Sequence, residues 1–256
     1  MELKGKHVIY QGGFGGIGLW SVKKFLERGV KRIAIFDRRV DPRALQELKD
    51  VYIDSSIFFV QFDITNNESI TEAFESAIKF MGHFDVLVCG IMDDSQVERT
   101  INVNLTGMIN STFIALPYMD RSKGGRGGTI VNISSVGGLQ PIPYVSVYSG
   151  SKHGVTGFTR SMGNPYSYKH LGVNFITICP GITDTDLVAN LECKATFEFA
   201  KVIAMRFKSA ASQSPEMCAS NLVKVVETGK NGGVYVLDLA MIEEVNFENV
   251  WEPVFR

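Results

Sequence analysis

The chain has 256 residues, of which 45% are hydrophobic and 21% charged, a composition that supports a sizeable core and excludes disordered and fibrous classes. Its 26 basic and 27 acidic side chains give a formal net charge of -1, so no basic surplus is left to neutralise a nucleic acid or an anionic membrane. No apolar run approaches the roughly 20 residues that span a bilayer, and Met1 to Tyr10 is too short and polar for a signal peptide, so one soluble, cytoplasmic domain over residues 1–256 is expected.

Seven short runs rich in Val, Ile and Phe recur along the chain: His7 to Tyr10, Arg32 to Asp37, Ile57 to Phe62, Asp85 to Cys89, Thr129 to Ile133, Val173 to Ile178 and Val234 to Leu237. Longer stretches of helical periodicity separate them. This alternation predicts an α/β fold, a single doubly wound Rossmann-type domain with a seven-stranded parallel sheet, because parallel neighbours need long crossovers.

The first run leads into Gly12-Gly13-Phe14-Gly15-Gly16-Ile17-Gly18 and then an apolar-periodic helix through Leu19, Val22 and Leu26. Glycines clear side chains from a helix start, so that backbone N–H groups and the helix dipole can receive a pyrophosphate. The second run ends at Asp37, nineteen residues after Gly18, where a dinucleotide fold places the carboxylate that accepts from ribose hydroxyls. That acid favours NAD over NADP, although Arg38 beside it is able to pair with a 2′-phosphate. Without the glycines, Asp37 reads as a solvated strand-end acid.

Gly124, Gly125, Gly127 and Gly128 crowd a turn before the fifth run, which closes on Ser134 and Ser135. Thirteen residues on stands Tyr148, with Lys152 four further along, a spacing that puts both side chains on one helix face. Such a pair by itself arises by chance in roughly one chain in three. Between Leu187 and Pro215 the strand signal disappears, and residues 187–215 form a substrate-side insertion, either a lid or a surface helix pair. The tail, 240–256, carries Trp251 and Phe255 and either covers a partner's cleft or anchors the terminus. Cys89, Cys179, Cys193 and Cys218 show no CxxC spacing and the histidines form no HExxH pair, so no metal and no disulfide is expected.

Taken together, these pieces resemble the classical short-chain dehydrogenase/reductase family over nearly the whole chain. The resemblance rests on Gly12, Gly16, Ile17 and Gly18; Asp63-Ile64; Val103-Asn104 through Gly107; Asn132-Ile-Ser-Ser135; Tyr148 with Lys152; and Pro180-Gly-Ile-Thr-Asp-Thr185. The stretches Asp93 to Asn104, Tyr118-Met-Asp and Val147-Tyr-Ser-Gly are similar to the insect alcohol dehydrogenase branch, which includes fat-body and photoreceptor dehydrogenase relatives. The resemblance implies Tyr148 as general acid/base, Ser135 as the group that orients the substrate oxygen, Lys152 as the ribose-holding cation, and Asn104 as the end of a water-borne proton relay. It also implies Asp63 and Ile64 beside the adenine, and Pro180, Gly181, Thr183 and Thr185 near the nicotinamide carboxamide. Residue types alone leave Asp63 and Thr183 equally readable as helix caps, and Ser134 as a buried structural hydroxyl. A cation near 6 Å from a phenolate favours it by about 3 kcal/mol at an effective dielectric near 20, roughly two pKa units.

One departure stands out. Where the family closes its fourth strand with an Asn-Asn-Ala-Gly turn, this chain reads Cys89-Gly90-Ile91-Met92, two residues short of the insect pattern, and Gln11 replaces the threonine that braces that turn. The shortening leaves two readings: an enzyme whose backbone still meets the cofactor at Gly90, or a catalytically impaired or non-enzymatic storage or carrier protein on the same fold. The wall around Ser135 and Gly137 is apolar, through Val136, Leu139, Ile142 and Val145, and no arginine cluster is placed to grip an anion. A small apolar alcohol or ketone, secondary in type and extending to lipid or terpenoid size, is the expected substrate. The helices around Val97 to Tyr118 and Val147 to Ser161 are apolar on more than one face, as expected of a homodimer.

Overall fold

All seven apolar runs are strands of one sheet: β1 (His7–Gln11), β2 (Arg32–Asp37), β3 (Ser56–Gln61), β4 (Val86–Cys89), β5 (Gly128–Ile133), β6 (Val173–Pro180) and β7 (Val234–Asp238). The computed structural model describes residues 1–92, 97–142, 144–189, 201 and 209–248. Neighbouring strands from β3 through β7 run parallel in the order β3-β2-β1-β4-β5-β6-β7. Among the described residues the α-helices are α1 (Gly16–Glu27), α2 (Pro42–Val51), α3 (Asn67–Met81), α4 (Val97–Ile101), α5 (Met108–Met119), α6 (Ser146–Met162), α7 (Pro165–Leu171), α8 (Asp186–Ala189) and α9 (Pro215–Thr228).

An eighth strand, β8 (Met241–Glu244), extends the expected seven and pairs antiparallel with β7. It lies in the tail, where Met-Ile-Glu-Glu offers no apolar run. Leu239 and Ala240 make the two-residue hairpin loop at φ 45° and 69°, a conformation normally signalled by Asn-Gly or Asp-Gly. Beyond it, the Phe247 ring lies 3.6 Å from the Arg160 guanidinium on α6. Trp251 and Phe255 fall outside the described residues.

Strand side chains alternate between two apolar layers. Val8 and Tyr10 of β1 join Val22, Phe25, Leu222 and Val226 on the α1 and α9 side. Ile9 faces the other way, toward Phe74, Leu116 and Val155 on the α3, α5 and α6 side. The chain reverses its direction of winding between β1 and β4, and at such a switch point the carboxyl ends of the strands leave a crevice for ligands. Among the described residues, no helix is long and apolar enough to cross a membrane.

Candidate active site

The glycine turn closes against the sheet because no side chain obstructs it. Gly12 has φ +82°, and a Cβ at Gly18 would lie 2.0 Å from the Gly12 carbonyl oxygen, so helix α1 starts hard against the end of β1. Gly15 supplies no side-chain cap, and the first turn of α1 holds no acidic residue. Its N–H groups and positive dipole end therefore face a cleft of about 690 Å³ that Gly12, Gly16, Ile17, Gly18 and Asp37 line. Asp37 sits at this wall and accepts from the Phe14 N–H at 3.0 Å and the Arg38 N–H at 2.8 Å. It thus fixes the glycine turn while leaving carboxylate lone pairs toward the cleft. Arg38, Arg39 and Asp41 line the same end. A cradle that a Cβ would fill, an uncapped helix start and an acid at the rim are a donor and acceptor set that fits an anionic dinucleotide.

The shortened turn forms the opposite wall. The Gly90 N–H donates to the Gln11 carbonyl at 3.0 Å, so the main chain of Gln11 braces the turn, while its buried side-chain amide has no hydrogen-bond partner among the described residues. Ile91 Cγ1 would meet a Cβ on Gly12 at 3.1 Å. Gly90, Ile91 and Met92 all line the cleft, which remains open between this turn and Asp37 despite the missing residues.

Tyr148 and Lys152 occupy one face of α6, as their spacing predicts. Lys152 is fully buried, lies 5.7 Å from the centroid of the Tyr148 ring and donates to the Ile133 carbonyl at 2.9 Å. Burial pushes its pKa down to about 7. The nearby Cys179 thiol gives little counter-charge, since burial pushes it up to about 12. Ser135 stands two residues past the end of β5, and its Oγ accepts from the Gly137 N–H at 3.0 Å, which orients the hydroxyl. Its neighbour Ser134 is the buried structural hydroxyl, donating to the Lys152 carbonyl at 2.9 Å and touching Thr156 Oγ1 at 2.8 Å.

Asn104 lies in a π-helical segment, Asn102–Gly107, between α4 and α5, a widened turn of the kind that recurs at functional sites. It is buried and donates through Nδ2 to Ser151 Oγ at 3.1 Å, and that hydroxyl donates to the Tyr148 carbonyl at 2.7 Å. Asn104 is thereby tied to the helix that carries Tyr148.

At the end of β6 and just after it, Pro180, Gly181, Thr183 and Thr185 line an apolar chamber of about 110 Å³ together with Ser135 and Tyr148. Val136, Ile142, Tyr144 and Val145 supply its apolar wall, and a Cβ on Gly137 would meet Ile142 at 2.8 Å. Thr183 is not a helix cap: its Oγ1 donates to the Gly181 carbonyl at 3.1 Å, and it bridges to Gln213. Gln213 Nε2 reaches the Leu237 carbonyl at 2.6 Å, so this buried amide pins both ends of the insertion to β7. Most of the insertion's own residues lie outside those described.

Two expected residues stand apart. Asp63 accepts at 2.9 and 2.7 Å from the N–H and hydroxyl of Thr65, and Ile64 is buried against Gly107. Partial burial works against the Asp63 charge, but these Thr65 bonds, helped by Arg38 and Arg99, hold its carboxyl below the usual range. Neither side chain lines the cleft or the chamber, and the cap of α3 is Asn66 rather than Asp63. Met92 and Gln213, by contrast, were not singled out by the sequence. A methionine in a turn and a glutamine in a long connection carry no local signal, and their roles come from distant partners.

A family model described as short chain dehydrogenase matches residues 6–195. The chain is similar to alcohol dehydrogenase 1 of Ceratitis capitata, at 40% identity over the full length of both proteins. Fat body protein 2 of Drosophila melanogaster is 35% identical, with 97% of this chain and 98% of that protein covered. Among solved structures, levodione reductase superposes with a TM-score of 0.78 at 20% identity, covering 92% of this chain and 96% of the other, a likeness of fold.

Proposed function

The chain belongs to the short chain dehydrogenase family and is an oxidoreductase, and we propose that it interconverts an apolar secondary alcohol and its carbonyl with NAD, at Ser135, Tyr148 and Lys152. The observation that carries this reading is the placement of Tyr148 above buried Lys152, at the mouth of an apolar chamber that adjoins the glycine-turned cleft. Gly12, Gly16, Ile17 and Gly18 would hold the dinucleotide's phosphates, and Asp37 its ribose. Asp63, Ile64 and Gly90 would meet the adenosine side through their main chains. Pro180, Gly181, Thr183 and Thr185 would border the nicotinamide. The cofactor, when bound, supplies the hydride acceptor or donor.

In the chain's own chemistry, Tyr148 Oη exchanges a proton with the substrate oxygen, and Ser135 Oγ holds that oxygen in line. Lys152 lowers the cost of the phenolate in proportion to its own charge. Burial, which pushes its pKa down to about 7, weakens that charge at neutral pH, and a negatively charged nucleotide nearby would favour the cation. Asn104 and Ser151 hold α6 where a proton can pass toward bulk water. Asp37 at the cleft wall supports NAD over NADP, since a carboxylate repels a 2′-phosphate.

A small apolar alcohol or ketone is the partner that the chamber suits, and a homodimer is proposed through α4, α5 and α6, where Val97 and Phe113 are exposed. Cytoplasmic residence accords with the buried free thiols of Cys89, Cys179 and Cys218. The shortened turn favours a second reading, a non-enzymatic carrier. Thermal shift and calorimetry with NAD separate the two: binding is expected to raise Tm, whereas no effect at millimolar cofactor rejects the enzyme. Tyr148→Phe is expected to cut turnover by about 10²- to 10⁴-fold while cofactor affinity stays within about twofold. Loss of cofactor binding in that variant would assign the tyrosine to structure instead.

A further inference from the structure

We propose that Met92, carried into the site by the shortened turn after β4, is a specificity-determining residue that limits the smaller substituent of the secondary alcohol. The proposal rests on the reading of Tyr148 as the group that meets the substrate oxygen. The Met92 sulfur lies 4.0 Å from the Tyr148 hydroxyl, within contact of the reactive phenol. Three described residues, Ile17, Met92 and Thr185, line both the cleft and the chamber, so they form the neck between them. Ile17 is buried in α1, and Thr185 Cγ2 is pressed so close to Gly16 that a Cβ there would sit 2.8 Å away. Met92 is the unbranched, adaptable member of the three, and it stands nearest the chemistry.

The turn's anchoring explains why this residue arrives there. Gly90 is fixed by its bond to the Gln11 carbonyl, and a Cβ on it would lie 2.9 Å from that oxygen. Ile91 then packs against Gly12, and the next residue emerges over the neck. A substrate oxygen within about 2.7 Å of the tyrosine hydroxyl puts the carbon bearing it next to the thioether. One of that carbon's two substituents must share space with Met92 in a chamber of about 110 Å³, whose remaining wall, Val136, Ile142, Tyr144 and Val145, is apolar. A methyl fits beside the methionine, and a propyl group does not.

The test compares kcat/KM for 2-hexanol and 4-heptanol with NAD, in the full chain and in Met92→Ala and Met92→Leu. Met92→Ala is expected to raise the 4-heptanol to 2-hexanol ratio at least about tenfold, the range that a few methylenes command in an apolar pocket. Met92→Leu, close in volume, is expected to keep the original ratio, and NAD affinity is expected to stay within about twofold in both. An unchanged ratio in Met92→Ala, or the same shift in Met92→Leu, overturns the assignment. If Met92→Ala no longer binds NAD, Met92→Val is measured in its place under the same criteria. An unaltered chain that binds NAD but oxidises neither alcohol overturns the secondary-alcohol reading and this inference with it, a result distinct from turnover with an unchanged ratio.

Discussion

At the amino end of β4, Asp85 accepts from the His7 N–H at 2.9 Å and from Lys6 Nζ at 3.3 Å, and His83 stands 3.7 Å away. At the carboxyl end of the neighbouring strand β5, Lys152 is buried completely and meets the main-chain carbonyl of Ile133. In the first region the acid accepts from one cation, Lys6, and from the main chain of His7, and the strands gain a clamp. In the second, a cation is held where its charged form is disfavoured, a cost that structure alone does not require. Groups with strongly displaced pKa values cluster where chemistry is done, and the same sheet separates the two uses of charge by its length.

Lys152→Met breaks this comparison most sharply. Replacing a buried ionisable group with an apolar one of similar volume is neutral or stabilising by ~1–4 kcal/mol, while turnover is expected to fall by at least about 100-fold. The pH dependence has a definite sign. Burial holds Lys152 near 7 in the folded protein, below its ordinary 10.5, so the unfolded chain binds more protons between those values and stability rises with pH across that window. The advantage of Lys152→Met is therefore full below pH 7 and shrinks toward pH 10, as urea titrations at several pH values would record. A variant less stable than its parent at pH 6 would mean that the lysine serves packing.

Asp85→Asn tests the other end. It removes the charge that Lys6 and His83 share, yet keeps an acceptor for the His7 N–H, so a loss of about 1–2 kcal/mol is expected. At this chain length, that is a fall in Tm of roughly 2–8 °C. Turnover is expected to remain within about twofold. A large loss of activity would show that the amino-end clamp also sets the geometry of the carboxyl-end site.

Much of this arrangement was legible in the residues because it is local. Tyr148 and Lys152 announce one helix face through their spacing, and the glycines from Gly12 to Gly18 announce a turn that excludes side chains. The seven runs are apolar because their strands are covered on both sides. β8 was not legible, since it is covered on one side at most and is reached through Leu239-Ala240, residues that seldom adopt positive φ. The widened helical turn around Asn104 has no compositional mark, because one extra residue per turn changes no periodicity over so short a span. Met92 and Gln213 depend on partners far along the chain, Tyr148 for one and Leu237 for the other. The shortened turn was visible as a loss, but its structural consequence, a methionine delivered to the phenol, needed the register of β1 against β4.

The smallest effect is expected at His83, and it separates pairing from burial within the amino-end cluster. Burial first, then the stacked His7 ring at 4.3 Å, and the nearby Arg126 and Lys6 hold the His83 pKa below its ordinary 6.5, against the pull of Asp85. Arg126 Nη1 lies 3.1 Å from its Nε2, a place that suits a neutral ring better than a charged one. With the folded pKa depressed, the unfolded chain takes up the proton first, so stability falls as pH drops below about 6.5. His83→Gln removes that proton uptake and is expected to flatten the acid limb of the stability profile slightly, leaving the rise from pH 7 to 10 set by Lys152 unchanged. Equal flattening of both limbs would mean that the two ends of the sheet titrate as one network, and the division of charge between them would fail.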